Sequence, residues 1–183
     1  MSKWKKKTLK LKKNHTWRAK AGYRIFVADR GAVRFSFPQD WIVEPDSDST
    51  KFYDGKPPND NCRLACSYIR LPPIDWSGLP LSQLIQVAVE GDYRSLVATG
   101  KFIQVQREDI ELAWAEFSFI DPTEHREAFT RVCIGRGLNI QTLITFDYWP
   151  EDAIRFSVVW DEVMRSLELG RYVKDPTIGD IIH

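Results

Sequence analysis

The sequence of 183 residues contains no apolar run near the ~20 residues that a membrane-spanning helix needs. Lysines crowd its N-terminus, but the apolar stretch of a secretory signal peptide does not follow them. We therefore expect a cytoplasmic protein without a membrane span. Cysteine is scarce too, and three cysteines in a chain large enough to build a core predict free, mostly buried thiols. In a strand, Cys62 and Cys66 would lie ~13 Å apart, which is too far for a disulfide.

Motifs that would indicate catalysis are missing as well. The chain has no G-x-S-x-G, no phosphate-binding glycine loop and no dinucleotide-binding fingerprint. The segment GRG at 135–137 is too short for a nucleotide loop, and its two glycines favour a hairpin turn. The acidic residues and the histidine of DPTEHRE, 121–127, suit a polar loop better than a metal site. We therefore predict no catalytic residue, no metal ligand and no cofactor.

Acidic residues are absent from the first twenty positions, which carry nine lysines and arginines although the whole chain has a net charge of only +1. This contrast predicts a basic N-terminal arm over residues 1–16 and a single, acidic domain over residues 17–183. Lysines in the arm would neutralise an anionic partner, and a tryptophan among them would stack or insert. The candidate contacts are Trp4, Lys5, Lys6, Lys7, Lys10, Lys12 and Lys13. A solvated, disordered arm or an edge strand over 8–12 remains an alternative.

Alternating apolar residues predict a series of strands. Val33, Phe35 and Phe37 alternate with polar residues, and Pro38 ends the run because it cannot donate to a sheet. The predicted strands are Tyr23–Ala28, 33–37, Thr50–Tyr53, 63–71, 102–107, Ile110–Ile120, 131–134 and 138–146. The segment Ile110–Ile120 is apolar on both faces, which predicts that both faces of the sheet are covered.

Two segments have the apolar spacing of helices. The first begins near Pro80 and repeats apolar residues at 81, 84, 85, 88 and 89. The second begins at Pro150 and carries an apolar stripe that includes Phe156 and Trp160, with Gly170 just past its expected end. We expect Trp160 to lie in the core.

The order of these elements resembles the Mog1/PsbP-like fold superfamily over about residues 22–173. The segments GAVRFSFPQDW, 31–41, and VVWDEVMRSLELGRYV, 158–173, carry the resemblance. It implies an α/β sandwich of the α+β type, in which a largely antiparallel sheet lies between helices and the chain has a C-terminal helix. Members include photosystem II extrinsic subunits and a Ran-binding import factor. They share no catalytic residues, so the resemblance implies no site residue in this chain.

These observations favour a non-catalytic binding or assembly protein of a bacterium. The expected partner is another protein, with nucleic acid or another polyanion as a second option through the basic arm. The alternative is a small cytoplasmic enzyme with a pocket between the sheet and the 44–61 loop. Tyr53, Asp54 and Trp76 are the candidate lining of that pocket.

Overall fold

The computed structural model describes residues 4–179. Residues 1–3 of the predicted arm and residues 180–183 of the predicted domain lie outside the described residues. The described chain folds into eleven strands, two α-helices and one 3-10 turn at Pro150–Asp152. The strands and helices, in chain order, are β1 (Tyr23–Ala28), β2 (Val33–Pro38), β3 (Ile42–Pro45), β4 (Thr50–Tyr53), β5 (Cys62–Arg70), α1 (Leu81–Glu90), β6 (Val97–Ala98), β7 (Ile103–Arg107), β8 (Ile110–Ile120), β9 (Glu127–Gly137), β10 (Ile140–Tyr148), α2 (Ala153–Ser166) and β11 (Glu168–Leu169).

A large antiparallel sheet forms the middle of the molecule. Its strands run in the order β3-β4-β5-β10-β9-β8, and both β6 and β7 pair with the outer edge of β8. The β8 strand has buried residues on both faces, as its sequence predicts. Leu112 lies on one face and Ala113 on the other, so each face needs its own cover.

Helices cover the two faces of this sheet. Helix α2 buries Phe156 and Trp160 against one face, where Trp160 stacks with Phe146 at a centroid distance of 6.0 Å. Helix α1 buries Leu81 and Ile85 against the opposite face. The predicted α+β sandwich with a C-terminal helix is therefore confirmed, and Trp160 is fully buried.

A small second sheet, in the order β1-β2-β11, lies beside α2. The alternation in β2 directs Phe35 and Phe37 into the core, where both rings contact Phe52 of β4. The preceding turn has positive φ angles at Asp29, Arg30 and Gly31, as a tight connection between β1 and β2 requires. This arrangement leaves β1 at the edge of the small sheet.

The hairpin between β9 and β10 differs from the prediction. Gly135 and Gly137 lie inside β9, and the turn falls on Leu138 and Asn139, with a φ of 50° at Leu138. A Cβ on Gly137 would lie 2.7 Å from the Asp109 carbonyl oxygen, so these glycines permit close packing. The prediction that GRG forms the turn was wrong because tertiary contacts, invisible in the sequence, demand glycine there.

The end of α2 also differs from the prediction. The helix ends at Ser166, and the chain becomes extended at Leu167 before forming β11 against β2. Gly170, with a φ of 67°, follows this short strand. It therefore marks the end of β11, four residues beyond the helix.

Candidate functional site

The predicted arm lies along the body without forming a helix or strand in residues 4–16. Near its start, the ring of Trp4 contacts that of Tyr68 in β5 at a centroid distance of 5.5 Å. The Lys6 ammonium donates to the carbonyl of Val43 in β3 at 3.1 Å. These two contacts tie the beginning of the arm to the large sheet.

The other end of the arm is tied to the C-terminal segment. The backbone N–H of Lys12 donates to the Thr177 carbonyl, and its ammonium lies 2.9 Å from the Asp175 carboxylate. Hydrogen bonds from the Thr177 side chain and from Lys12 lower the pKa of Asp175 to about 2, so this carboxylate stays ionised at neutral pH. Trp17, which is nearly buried, donates from Nε1 to the Pro176 carbonyl at 2.7 Å.

The seven predicted arm contacts therefore divide into two groups. Trp4, Lys6 and Lys12 hold the arm in place through the contacts just described. The remaining lysines are exposed and have no ion pair with any carboxylate within residues 4–179. These free lysines are Lys5, Lys7, Lys10 and Lys13. The arm is thus held near both ends and carries four positive charges that have no acidic partner in the described chain.

A groove of about 1000 Å³ separates the arm from β1, the edge strand of the small sheet. Ile25 and Val27 line it from β1, and Leu9 and Leu11 line it from the arm. Its cationic lining includes Lys5, Lys7, Arg18 and Arg30, whose side chains have no acidic partner within the described chain. The groove is therefore apolar along its walls and positively charged at its margin.

Asp29 is the one carboxylate that lines this groove in the described chain. It is already occupied, because Arg70 forms an ion pair with it and Tyr68 donates a hydrogen bond to it. The positive charge of the groove is therefore not neutralised from within. Sequence patterns did not single out Arg18, Arg30 or the β1 edge, because the order of strands is a property of the folded chain.

A second, smaller cleft of about 340 Å³ lies between the 54–61 loop and the large sheet. Of the three residues proposed for a pocket here, Tyr53 lines the cleft. Asp54 instead holds the loop, since its carboxylate accepts from the backbone N–H of Asn61 at 2.7 Å and of Cys62 at 3.2 Å. Trp76 lies elsewhere, with its carbonyl accepting from Arg136. The structure thus does not bring the three together.

The charged groups of this cleft largely neutralise one another. Arg63 and Arg94 both bind Asp147, at 2.7 and 3.0 Å, and Arg94 also binds Asp92 at 2.8 Å. Burial raises the pKa of the nearby Cys62 thiol, which disfavours the reactive thiolate. The geometry therefore supplies no activated nucleophile at Cys62, and the enzyme alternative stays a prediction.

No group of three or more His, Cys, Asp or Glu side chains in residues 4–179 is arranged to hold a metal ion. No helix in that range has the length and apolar character that crossing a bilayer requires.

The chain has a Mog1/PsbP-like fold. The solution structure of cyanobacterial PsbP (CyanoP) from Synechocystis sp. PCC 6803 superposes with a TM-score of 0.53 at 17% identity, covering 82% of this chain and 94% of that one. A crystal structure from Bacteroides thetaiotaomicron gives a TM-score of 0.55 at 20% identity over 82% of this chain, but the match spans only 49% of that longer protein. At these identities the likeness concerns the fold alone.

Within that fold the chain belongs to the Alr1449 family, which it matches over residues 24–173. The uncharacterized protein alr1449 of Nostoc sp. (strain PCC 7120) is 51% identical over 177 residues, covering 96% of this chain and 92% of that one. The family therefore has a bacterial member. The family match begins inside β1, so it excludes the arm, whereas the Nostoc relative aligns with nearly the whole chain.

Proposed function

We propose that this protein is a non-catalytic binding or assembly protein of the cytoplasm that engages an acidic segment of a partner protein through its basic arm. The observation that carries the proposal is the set of four exposed, unpaired lysines on an arm that contacts the body near both of its ends. Fixed charges of one sign attract a partner of opposite charge without first paying the entropy of ordering the segment.

The three cysteines support the proposed compartment. All are buried and unpaired, as a reducing environment would keep them. Cys66 is fully enclosed by the core, and burial raises the pKa of its thiol to about 12. Such thiols would survive in the cytoplasm without reacting.

Fluorescently labelled polyglutamate, titrated into the full-length protein, tests the proposal. Lys10→Glu/Lys13→Glu should weaken binding at least about tenfold, and wild-type binding should weaken as salt rises from roughly 50 to 200 mM because screening grows. The matched control is Lys56→Glu/Lys101→Glu, which changes net charge equally at exposed sites outside the arm. The control should bind like the wild type.

Two results would contradict the proposal. Equal weakening by the arm and control variants would show that net charge, not the arm, drives binding. Preference for a single-stranded oligonucleotide over polyglutamate at matched charge would instead identify nucleic acid as the partner.

A further inference from the structure

The free edge of β1 has backbone groups that point into the groove beneath the arm. The Gln39 N–H donates to the Gly22 carbonyl at 2.9 Å, so residues 22 and 39 form a hydrogen-bonded pair. In an antiparallel ladder such pairs alternate with non-bonded pairs. With the register of β1 on β2, the pairs that exchange hydrogen bonds are then Arg24 with Phe37 and Phe26 with Phe35.

Ile25 and Val27 consequently turn their N–H and C=O groups away from β2. Both residues line the groove, and within residues 4–179 neither has another backbone hydrogen-bond partner on this side. The edge therefore offers two donors and two acceptors at the spacing of an extended strand. Tyr23 lies two residues before Ile25 on the same edge, and its N–H already donates to the Lys20 carbonyl.

We infer that the groove accepts an extended peptide segment of the partner, which adds to β1 as a further strand and carries acidic residues alternating with apolar ones. Main-chain hydrogen bonds to Ile25 and Val27 would supply affinity, and alternate side chains would supply specificity. The inference rests on the proposed function and names how that partner is held.

Charge complementarity identifies the chemistry of the occupant. The free cations Lys5, Lys7, Arg18 and Arg30 line the groove, while its one lining carboxylate, in the described chain, is already paired. Apolar side chains of the peptide would contact Ile25 and the other apolar wall residues. A neutral or basic peptide would leave these cations without partners, which favours an acidic one.

The arm does not fill the edge itself. In residues 7–11 it forms no strand and no backbone hydrogen bond to β1. It spans the groove between its two anchors, Lys6 at one end and Lys12 at the other. The space of about 1000 Å³ left between them is at the upper end of the range for small-ligand pockets.

Amide hydrogen exchange with a synthetic probe tests the inference. The probe is the capped hexapeptide Glu-Val-Glu-Val-Glu-Val, and the control has the same residues in two blocks, Glu-Glu-Glu-Val-Val-Val. The amides of Ile25 and Val27 should exchange rapidly in the free protein and at least about tenfold more slowly with the probe. The amides of Arg24 and Phe26 bond to β2 and provide the internal control, protected in both states.

Backbone methylation of the probe separates strand addition from simple charge attraction. Of two analogues, methylated at residues 2 and 4 or at residues 3 and 5, one should bind at least about tenfold more weakly and the other like the parent. Ile25→Pro removes the outward N–H and leaves the hydrogen bonds between β1 and β2 in place. It should weaken binding of the probe by a similar factor. If that variant does not fold, the methylated pair alone decides.

Several outcomes would overturn the inference. Equal binding of both methylated analogues would exclude strand pairing, and protected Ile25 and Val27 amides in the free protein would show that the arm occupies the edge. Binding of sodium oleate without the probe would make the groove a site for an amphipathic anion. If polyglutamate still binds through Lys10 and Lys13 in any of these cases, the proposed function stands and only the strand addition fails.

Discussion

At the scale of single residues, Glu116 connects the large sheet to α2 through a partly buried network. Its carboxylate accepts from Tyr148 Oη and from Arg131 Nε, the latter at 3.1 Å. Arg131 also donates to Ser157 of α2 at 2.9 Å and lies over the ring of Trp160. The network places a charged pair within a largely aromatic layer, where removing one partner leaves the other unsatisfied.

The pKa of Glu116 predicts how this network responds to acid. Burial by itself raises that pKa, but hydrogen bonds from Tyr148 and Arg131 outweigh it and bring it below its ordinary value of 4.5. A carboxyl with a lowered folded-state pKa stabilises the fold above its unfolded pKa. This contribution is lost as the pH falls through the folded pKa.

Glu116→Gln should therefore destabilise the protein by ~1–3 kcal/mol at pH 7 and by less at pH 3. The loss is smaller there because pH 3 lies below the ordinary carboxyl pKa of 4.5, so protonation favours the unfolded wild type and part of the stabilising contribution is gone. Urea unfolding of both proteins at the two pH values measures the difference. The exposed substitution Glu124→Gln is the control and should change stability little at either pH. An equal loss at both pH values would show that shape, not charge, determines the role of Glu116.

At the scale of elements, β9 shows how close packing selects glycine inside a strand. Gly135 would bring a Cβ to 2.9 Å from Leu112 Cδ2, and Gly137 would bring one to 3.1 Å from Leu169 Cβ. Both glycines thus let β11, after α2, lie directly on the large sheet. The packing of the C-terminal segment depends on this missing side-chain volume.

Gly137→Ala should destabilise the fold by ~1–3 kcal/mol, since the added methyl meets backbone at Asp109 as well as a side chain. Thermal or urea unfolding measures the loss. Gly100→Ala is the matched control, because a Cβ there meets no atom within 4 Å. Equal stability of the two variants would mean that β11 moves away from β9 without penalty.

At the scale of the whole molecule, the C-terminal segment of the described chain lies against residues 12–17. The Thr16 N–H donates to the Ile178 carbonyl at 2.6 Å, next to the contacts of Lys12 and Trp17 with residues 175–177. Residues 12–17 are therefore bound to the domain more extensively than residues 4–11. The predicted division after residue 16 stays a prediction, and these contacts favour a boundary nearer residue 11.

Deletion of residues 1–11 should shift the thermal midpoint by no more than about 4 °C, which corresponds to ~1 kcal/mol for a chain of this size. The reason is that the deleted part of the described arm contacts the body mainly through Trp4 and Lys6. Trp17→Ala, which removes a nearly buried ring, should shift the midpoint more. A large shift on deletion would show that the arm is an integral part of the fold.

Local sequence determined most of the elements of this protein. Alternation identified β2, a run apolar on both faces identified β8, and the 3.6-residue spacing identified both helices, because side-chain period follows directly from backbone geometry. Burial of Trp160 followed from the apolar stripe of its helix, and burial of the three cysteines followed from their scarcity in a chain large enough to build a core. The positive charge of the arm is likewise a property of composition.

The tertiary structure decided where those elements meet. The β9–β10 turn lies at Leu138 and not at the predicted 135–137, because Gly135 and Gly137 pack beneath β11. That packing is a contact between distant parts of the chain. The groove depends on β1 being an edge strand and on the arm spanning it, neither of which has a local sequence signal. Strand order is set by packing across the whole chain, so a periodic pattern specifies a strand but not which of its edges remains open.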